Sequence, residues 1–230
     1  MGVVTKAYLI AYNLGCLLGW AAALVFGLQT LAETEGDLTA AWSKMAPTIV
    51  YVQLTMALEI MHAYTRLVKS PFFTVFLQVN SRLFLVAVIL AAPETASTWH
   101  CGMMAISWSI VEIFRYAFYL NKELTGSTIY PIFWMRYSLF AILYPTGITG
   151  EVLTTLAALS SPTLASALGG YAPLLTKIVL ALYVPGSPFM YMNMVGNRKK
   201  AFKDRFAPPP PPPKEPEGES GMSMCMHNIT

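Results

Sequence analysis

Seven ionisable side chains stand inside long apolar runs of this sequence: Glu59, His62, Arg82, Glu112, Arg115, Arg136 and Glu151. Each is expensive there. A charge at the middle of a bilayer costs at least about 2.5–3.5 kcal/mol on insertion scales, so such residues face a protein interior and mark functional positions. Glu59 and His62 are three residues apart and share a helix face, which suits a hydrogen-bonded pair. One Glu with one His is too few ligands for zinc, and the His-Glu-x-x-His signature is absent, so no metal is expected. The run Glu112-x-x-Arg115-Tyr116-x-x-Tyr119 draws one polar stripe down a helix. Glu112 and Arg115 can pair across a turn. That stripe reads equally well as a neutralised buried charge or as the lining of a substrate pocket.

The richest constellation runs from Trp134 to Glu151, through Arg136, Tyr137, Ser138, Tyr144, Pro145, Thr146, Gly147 and Gly150. Tyr144 and Glu151 are seven residues apart, two turns and about 10 Å along one face of an ideal helix. Pro145 removes a backbone hydrogen bond, and Gly147 and Gly150 tolerate unusual dihedrals. A distortion here could bring a phenol and a carboxyl to opposite sides of one substrate. A chance Tyr and Glu beside a kink is the competing reading.

The elements that carry these residues follow from composition. The chain has 230 residues, 55% of them hydrophobic and 12% charged, against about 25% charged in a soluble domain. A helix needs about 20 mostly apolar residues to cross the hydrocarbon layer. Runs of that kind cover residues 7–31, 46–63, 71–91, 102–120, 131–158 and 174–195. They are continuously apolar rather than alternating, which argues against a β-barrel. The expected fold class is therefore all-α, a polytopic membrane bundle of about six transmembrane helices. The fifth run is long enough to tilt or break. The first is too long and too aromatic for a cleaved signal peptide.

Lys6, Arg66, Lys69, Lys122 and the cluster Arg198, Lys199, Lys200, Lys203, Arg205 and Lys214 fall on one side of such a bundle. Lys44 and Lys177 fall on the other. Positive residues collect in the cytoplasm, so both termini are expected to be cytosolic. The net charge of +3 is mostly this bias, and nucleic acid is not an expected partner. Trp42, Trp99 and Trp134 lie near span ends, where indole rings anchor at headgroup depth. Cys16, Cys101 and Cys225 lie too far apart in this layout for a disulfide. Residues 1–206 read as one six-helix membrane domain. Residues 207–230, with prolines from Pro208 to Pro213, read as a disordered cytosolic tail of polyproline II character.

Several blocks, in order, resemble the very-long-chain 3-hydroxyacyl-CoA dehydratases, also called protein tyrosine phosphatase-like proteins. They are Tyr8 to Asn13 with Gly19-Trp20, Leu58-Glu59 with His62, Ser70-Pro71 with Gln78 to Arg82, Ser107-Trp108-Ser109 through Tyr116, Arg136-Tyr137-Ser138, and Leu143-Tyr144-Pro145-Thr146-Gly147 through Glu151. The stretch Tyr183-Val184-Pro185-Gly186-Ser187-Pro188 with Met190-Tyr191 is similar to the plant PASTICCINO-type members. The resemblance covers residues 8–203. It implies a multi-pass endoplasmic reticulum enzyme of the fatty-acid elongation cycle that needs no cofactor. Its substrate is a 3-hydroxyacyl-CoA, its surroundings membrane lipid, and its partners the condensing enzyme, ketoacyl reductase and enoyl reductase of the cycle. It also implies that Tyr144 and Glu151 are the catalytic pair, since they occupy the family's Tyr-Pro-x-Gly-x-x-x-Glu positions. Two features depart from the family pattern: a short segment over 160–173, and a proline-rich end where a lysine-rich one is usual.

The reaction so implied removes water from a 3-hydroxyacyl thioester to give the trans-2-enoyl thioester. A base takes the C2 proton and an acid protonates the departing hydroxyl. Glu151 as base and Tyr144 as acid is the working assignment; the reverse, or Tyr144 holding the thioester oxygen, is also open. An enolate-like state needs a donor at the thioester oxygen, with Arg115 or Tyr116 as candidates. Glu112 and Arg136 complete the expected substrate-binding set, Arg136 toward the face where the phosphates of coenzyme A stay. The rival reading is a non-catalytic membrane scaffold of the elongation enzymes, which would not need Tyr144 and Glu151. A transporter would favour internal repeats, and none is visible. The topology is directly testable. A glycosylation acceptor fused to the C-terminus should remain unmodified in a eukaryotic cell, and a glycan there would reverse the assigned orientation.

Overall fold

Inside a hydrocarbon layer a backbone must satisfy its own hydrogen bonds, so long apolar runs become helices. The computed structural model describes residues 2–207, and every regular element among them is helical. The order is α1 (Val3–Glu33), α2 (Ala41–Met56), α3 (Leu58–Tyr64), α4 (Phe72–Ala91), α5 (Trp99–Thr125), α6 (Tyr130–Ser138), α7 (Phe140–Leu159), α8 (Pro162–Leu168) and α9 (Ala172–Phe206), with short 3-10 turns at Leu38–Ala40 and Pro93–Ser97. Among the described residues, four helices are long and apolar enough to cross a membrane: α1, α4, α7 and α9. The other two expected runs differ. The second is divided at Ala57 into α2 and α3. The fourth became α5, which is 27 residues long but carries Glu112, Arg115, Lys122 and Glu123. The expected tail from Pro208 onward lies outside the described residues.

The core lies where α1, α2, α4 and α5 meet. Trp20 and Ala23 of α1, Met45 and Ile49 of α2, Leu85 and Ile89 of α4, and Met104 and Trp108 of α5 form one buried cluster. Trp42 belongs to it at 3% exposure, whereas Trp99 and Trp134 are 50% and 42% exposed. The anchor reading therefore fails for Trp42, whose ring packs inward in the cluster that holds Met45. Cys16 and Cys101 are buried and unpaired, as expected; Cys225 lies outside the described residues.

Small residues let these helices approach closely, the usual solution in lipid. A Cβ built on Gly150 would come within 2.7 Å of the His100 carbonyl oxygen and of Met104 Cβ. Gly147 faces Ser107 across the same seam. Ser107 and Thr146 share a hydrogen bond at 2.9 Å, and His100 Nδ1 and Thr154 another at 2.9 Å. Gly147 and Gly150 thus serve contact between α5 and α7 rather than bending. The helix runs unbroken over Pro145, and its interruption falls at Leu139, between α6 and α7. The last helix also outruns its expected end at residue 195. It passes through Pro185 and Pro188 and continues as helix to Phe206.

Gly150→Val tests the α5–α7 contact. Overpacking of this kind costs about 1–3 kcal/mol, so the purified variant should melt several degrees below wild type in detergent. An unchanged melting temperature would mean that the seam is not closely packed.

Candidate active site

The charged residues of the interior assemble into one chain of ion pairs. Arg82 of α4 donates to Oε1 of Glu112, and Arg115 Nε donates to Oε2 of the same carboxylate. Arg115 also reaches α3, donating through Nη1 and Nη2 to both oxygens of Glu59 at 2.8 and 2.7 Å. The Tyr116 hydroxyl donates to Glu59 Oε1 and accepts from Arg115 Nη2. Glu112 is 1% exposed and Arg115 8%. Two carboxylates and two guanidinium groups sum to zero charge, which makes their burial tolerable. The expected pairing of Glu112 with Arg115 is present. The expected pairing of Glu59 with His62 is not: His62 Nε2 meets the Tyr8 hydroxyl at 2.8 Å instead. A forked guanidinium offers Glu59 two charge-assisted bonds, which a single imidazole cannot match.

Glu151 sits on the other side of this chain, on α7. The Trp108 indole donates to its Oε1 at 2.7 Å, and the Tyr183 hydroxyl of α9 donates to its Oε2 at 2.7 Å. Trp108 links the two groups, because the Arg82 guanidinium lies 5.0 Å over its ring. Tyr144 is on the same seam between α7 and α9. Its hydroxyl donates to the Ser187 carbonyl at 3.1 Å, and its ring lies beside Tyr191 with centroids 6.0 Å apart. Among the described residues, Tyr144 and Glu151 make no hydrogen bond to each other; both face α9, two helical turns apart.

The expected substrate-binding residues thus divide. Glu112, Arg115 and Tyr116 are bound to one another and to Glu59. Arg136 lies apart on α6, its guanidinium 6.0 Å over the Tyr137 ring. Trp108 and Tyr183 were not among the expected site residues. The available signal was chemical: an indole N–H and a phenol in apolar runs each need an acceptor when buried.

A family model described as protein tyrosine phosphatase-like protein, PTPLA, matches residues 53–204. The chain belongs to the PTPLA family. The PTPLA match contains Glu59, Arg82, Trp108, Glu112, Arg115, Tyr144, Glu151 and Tyr183, while Tyr8 and Tyr12 precede it. Among curated relatives, the Arabidopsis thaliana very-long-chain (3R)-3-hydroxyacyl-CoA dehydratase PASTICCINO 2 is 37% identical, covering 87% of this chain and 95% of the relative. The Caenorhabditis elegans dehydratase hpo-8 is 35% identical over 85% of this chain and 94% of its own. The mouse very-long-chain (3R)-3-hydroxyacyl-CoA dehydratase 2 is 34% identical over 86% and 82%. No solved structure matches the chain.

The ion chain of this PTPLA member should behave as one unit. Glu112→Gln leaves Arg82 and Arg115 facing a neutral amide. Breaking one partner of a buried pair costs about 3–5 kcal/mol, so the variant should lose most of its folded yield or its thermal stability. Wild-type melting behaviour in Glu112→Gln would show that the chain is not a buried electrostatic unit.

Proposed function

We propose that this protein dehydrates very-long-chain (3R)-3-hydroxyacyl-CoA to trans-2-enoyl-CoA, the third step of the fatty-acid elongation cycle, with Glu151 and Tyr144 as the reacting groups. The observation that carries the residue assignment is the contrast between carboxylates. Glu59 and Glu112 are each locked to guanidinium groups, whereas among the described residues Glu151 accepts hydrogen bonds only from the neutral donors of Trp108 and Tyr183. A carboxylate so held is oriented by both oxygens yet remains able to exchange a proton with a substrate. Membership in a family whose curated relatives carry the dehydratase name supports the reaction itself.

In the proposed reaction Glu151 takes the C2 proton, and that C–H electron pair becomes the C2–C3 double bond. The C3–O bond breaks, and the Tyr144 phenol protonates the departing hydroxyl, which leaves as water. Glu151 then returns its proton to the tyrosinate, closing the cycle without a cofactor. Tyr183 and Trp108 position Glu151. Glu112, Arg115 and Tyr116 act on the substrate pocket through Arg82, which covers the Trp108 ring. Arg136 stands on the α6 side, where the phosphate-bearing end of the substrate would approach.

The proposed setting is the endoplasmic reticulum membrane, with six spans, both termini cytosolic, and residues 1–206 as the membrane domain. Two features support this count: α2 with α3 runs from a loop without Lys or Arg to one with Arg66 and Lys69, and α5 runs from a loop without either to Lys122 in its last turn. The condensing enzyme, the ketoacyl reductase and the enoyl reductase of the cycle are the proposed partners.

Tyr144→Phe removes only a hydroxyl, and Glu151→Gln keeps shape while losing the charge. General acid–base groups contribute about 10²–10⁴-fold, so each purified variant should lose dehydration on that scale with normal membrane insertion. The double variant should be little worse than the poorer single, because the two groups act as a unit. Wild-type turnover of a 3-hydroxyacyl-CoA by both single variants would sink the assignment.

A further inference from the structure

The pair formed by α6–α7 and α9 keeps one antiparallel register from the candidate active site to the basic end of the chain. Glu151 meets Tyr183, Tyr144 meets Tyr191, Ser138 meets Arg198, and Phe133 meets Phe202. Tyr130 meets Phe206 at the end of the series. Arg136 is fifteen residues before Glu151, and Arg198 is fifteen after Tyr183. At 1.5 Å per residue both arginines stand about 22 Å above the same carboxylate.

The end of α9 is built rather than frayed. Arg198 Nε donates to the Ser138 hydroxyl at 3.3 Å, and its guanidinium lies 4.6 Å over the Phe202 ring. Arg205 lies 4.5 Å over Phe133 and 5.7 Å over Tyr130. Stacking on these rings fixes the planes of two guanidinium groups, and among the described residues no carboxylate pairs with them. Topology alone asks only for positive charge on one side of the membrane, at any conformation. It does not ask for a helix held to Phe206 by an aromatic ladder, with two stacked arginines one helical repeat apart. Tyr130 and Phe206 are 48% and 65% exposed, leaving aromatic faces beside those cations.

We infer that Arg198 and Arg205, with Arg136 and the exposed faces of Tyr130 and Phe206, form the docking site for the phosphorylated adenosine head of the coenzyme A thioester. The inference rests on the dehydratase reading and deepens it. Guanidinium groups grip phosphate oxygens through paired N–H donors, and aromatic faces stack on a nucleobase. The helical rise of about 22 Å from Glu151 to Arg136 and Arg198 is on the scale of an extended pantetheine arm, which connects the diphosphate to the thioester, and Arg205 with Tyr130 and Phe206 lies about 10 Å further out, at the adenosine end. With the head held at the clamp, the arm lies along the α7–α9 seam and delivers C2 and C3 to Glu151 and Tyr144.

The test uses the full chain, purified in detergent, carrying Arg198→Gln together with Arg205→Gln. Two substrates are compared: a 3-hydroxyacyl-CoA, and the same acyl group on pantetheine, which lacks both phosphates and nucleotide. The variant should raise KM for the CoA thioester about tenfold or more, the loss expected for one or two charge-assisted contacts. Its kinetics with the pantetheine thioester should follow wild type. Free 3′-phosphoadenosine 5′-diphosphate should inhibit wild type and not the variant. Equal losses with both substrates, or none with either, would overturn the clamp. A loss that appears only in vesicles containing phosphatidylserine, and not in pure phosphatidylcholine, would make this a lipid-headgroup site and overturn it as well. If wild type turns over neither thioester, the dehydratase reading fails by itself. Calorimetric binding of 3′-phosphoadenosine 5′-diphosphate to wild type and variant then decides the clamp separately.

Discussion

The interior of this protein depends on neutralising charge where water cannot reach. Arg82, Glu112, Arg115 and Glu59 do so as a single chain that ties α3, α4 and α5 together. Buried ion pairs add little net stability compared with a well-packed apolar core, because desolvation offsets most of their attraction. Their effect here is on specificity. Each member has one geometry that satisfies it, so the rotation of three helices about their axes is fixed together. Tyr12 and Tyr116 extend that constraint to α1, whose ring contact with Tyr116 has centroids 6.2 Å apart.

That constraint reaches the candidate active site through one indole. Trp108 lies under the Arg82 guanidinium and donates its N–H to Glu151. An indole cannot accept a hydrogen bond through its nitrogen, so the Glu151 oxygen facing it is always the acceptor. The carboxylate is thereby held in one orientation without direct contact with an arginine. Among the described residues, Glu59, Glu112 and Glu151 stand in the helix-packed interior, and their surroundings sort them. Two are paired with cations and serve architecture, and the third is left to neutral donors beside a phenol. Environment, not residue type, separates a structural carboxylate from a reactive one.

Much of this could be read in the sequence because the cost of polar groups in lipid leaves few choices. The apolar runs located the helices, and the ionisable residues inside them marked the interior. Glu112 and Arg115, three apart on one helix, had to be neighbours. What could not be read were choices made between helices. Glu59 had a partner on its own helix, His62, but took Arg115 from across the bundle. Trp42 had the position of an interfacial anchor but joined the core, since depth along a helix says nothing of which side the ring faces. The last apolar run stops at residue 195, yet α9 continues through Pro185 and Pro188 to Phe206. In hydrocarbon the alternatives to a helix are worse than a proline within it. The role of Tyr183 was hidden for a similar reason, because only the register between α7 and α9 brings it to Glu151.

The last helix carries the consequence of that register. Among its 35 residues only Ala172 and Thr176 are buried, so apolar packing does little to hold it against the bundle. Its attachment is instead a sequence of specific contacts: Tyr183 on Glu151, the Ser187 carbonyl under Tyr144, Tyr191 beside Phe140, Arg198 on Ser138, and Phe202 against Phe133. The first two involve the groups proposed to do the chemistry. A base and an acid whose hydrogen bonds also dock a helix are oriented by the same contacts that close the site. Under the proposed assignment, substrate entering along this seam would compete with α9 for those partners, and the Tyr144 hydroxyl would serve a departing hydroxyl only on leaving Ser187. On that assignment, catalytic orientation and the position of α9 would be one equilibrium, with the ion chain on the far side of Trp108 as its fixed reference.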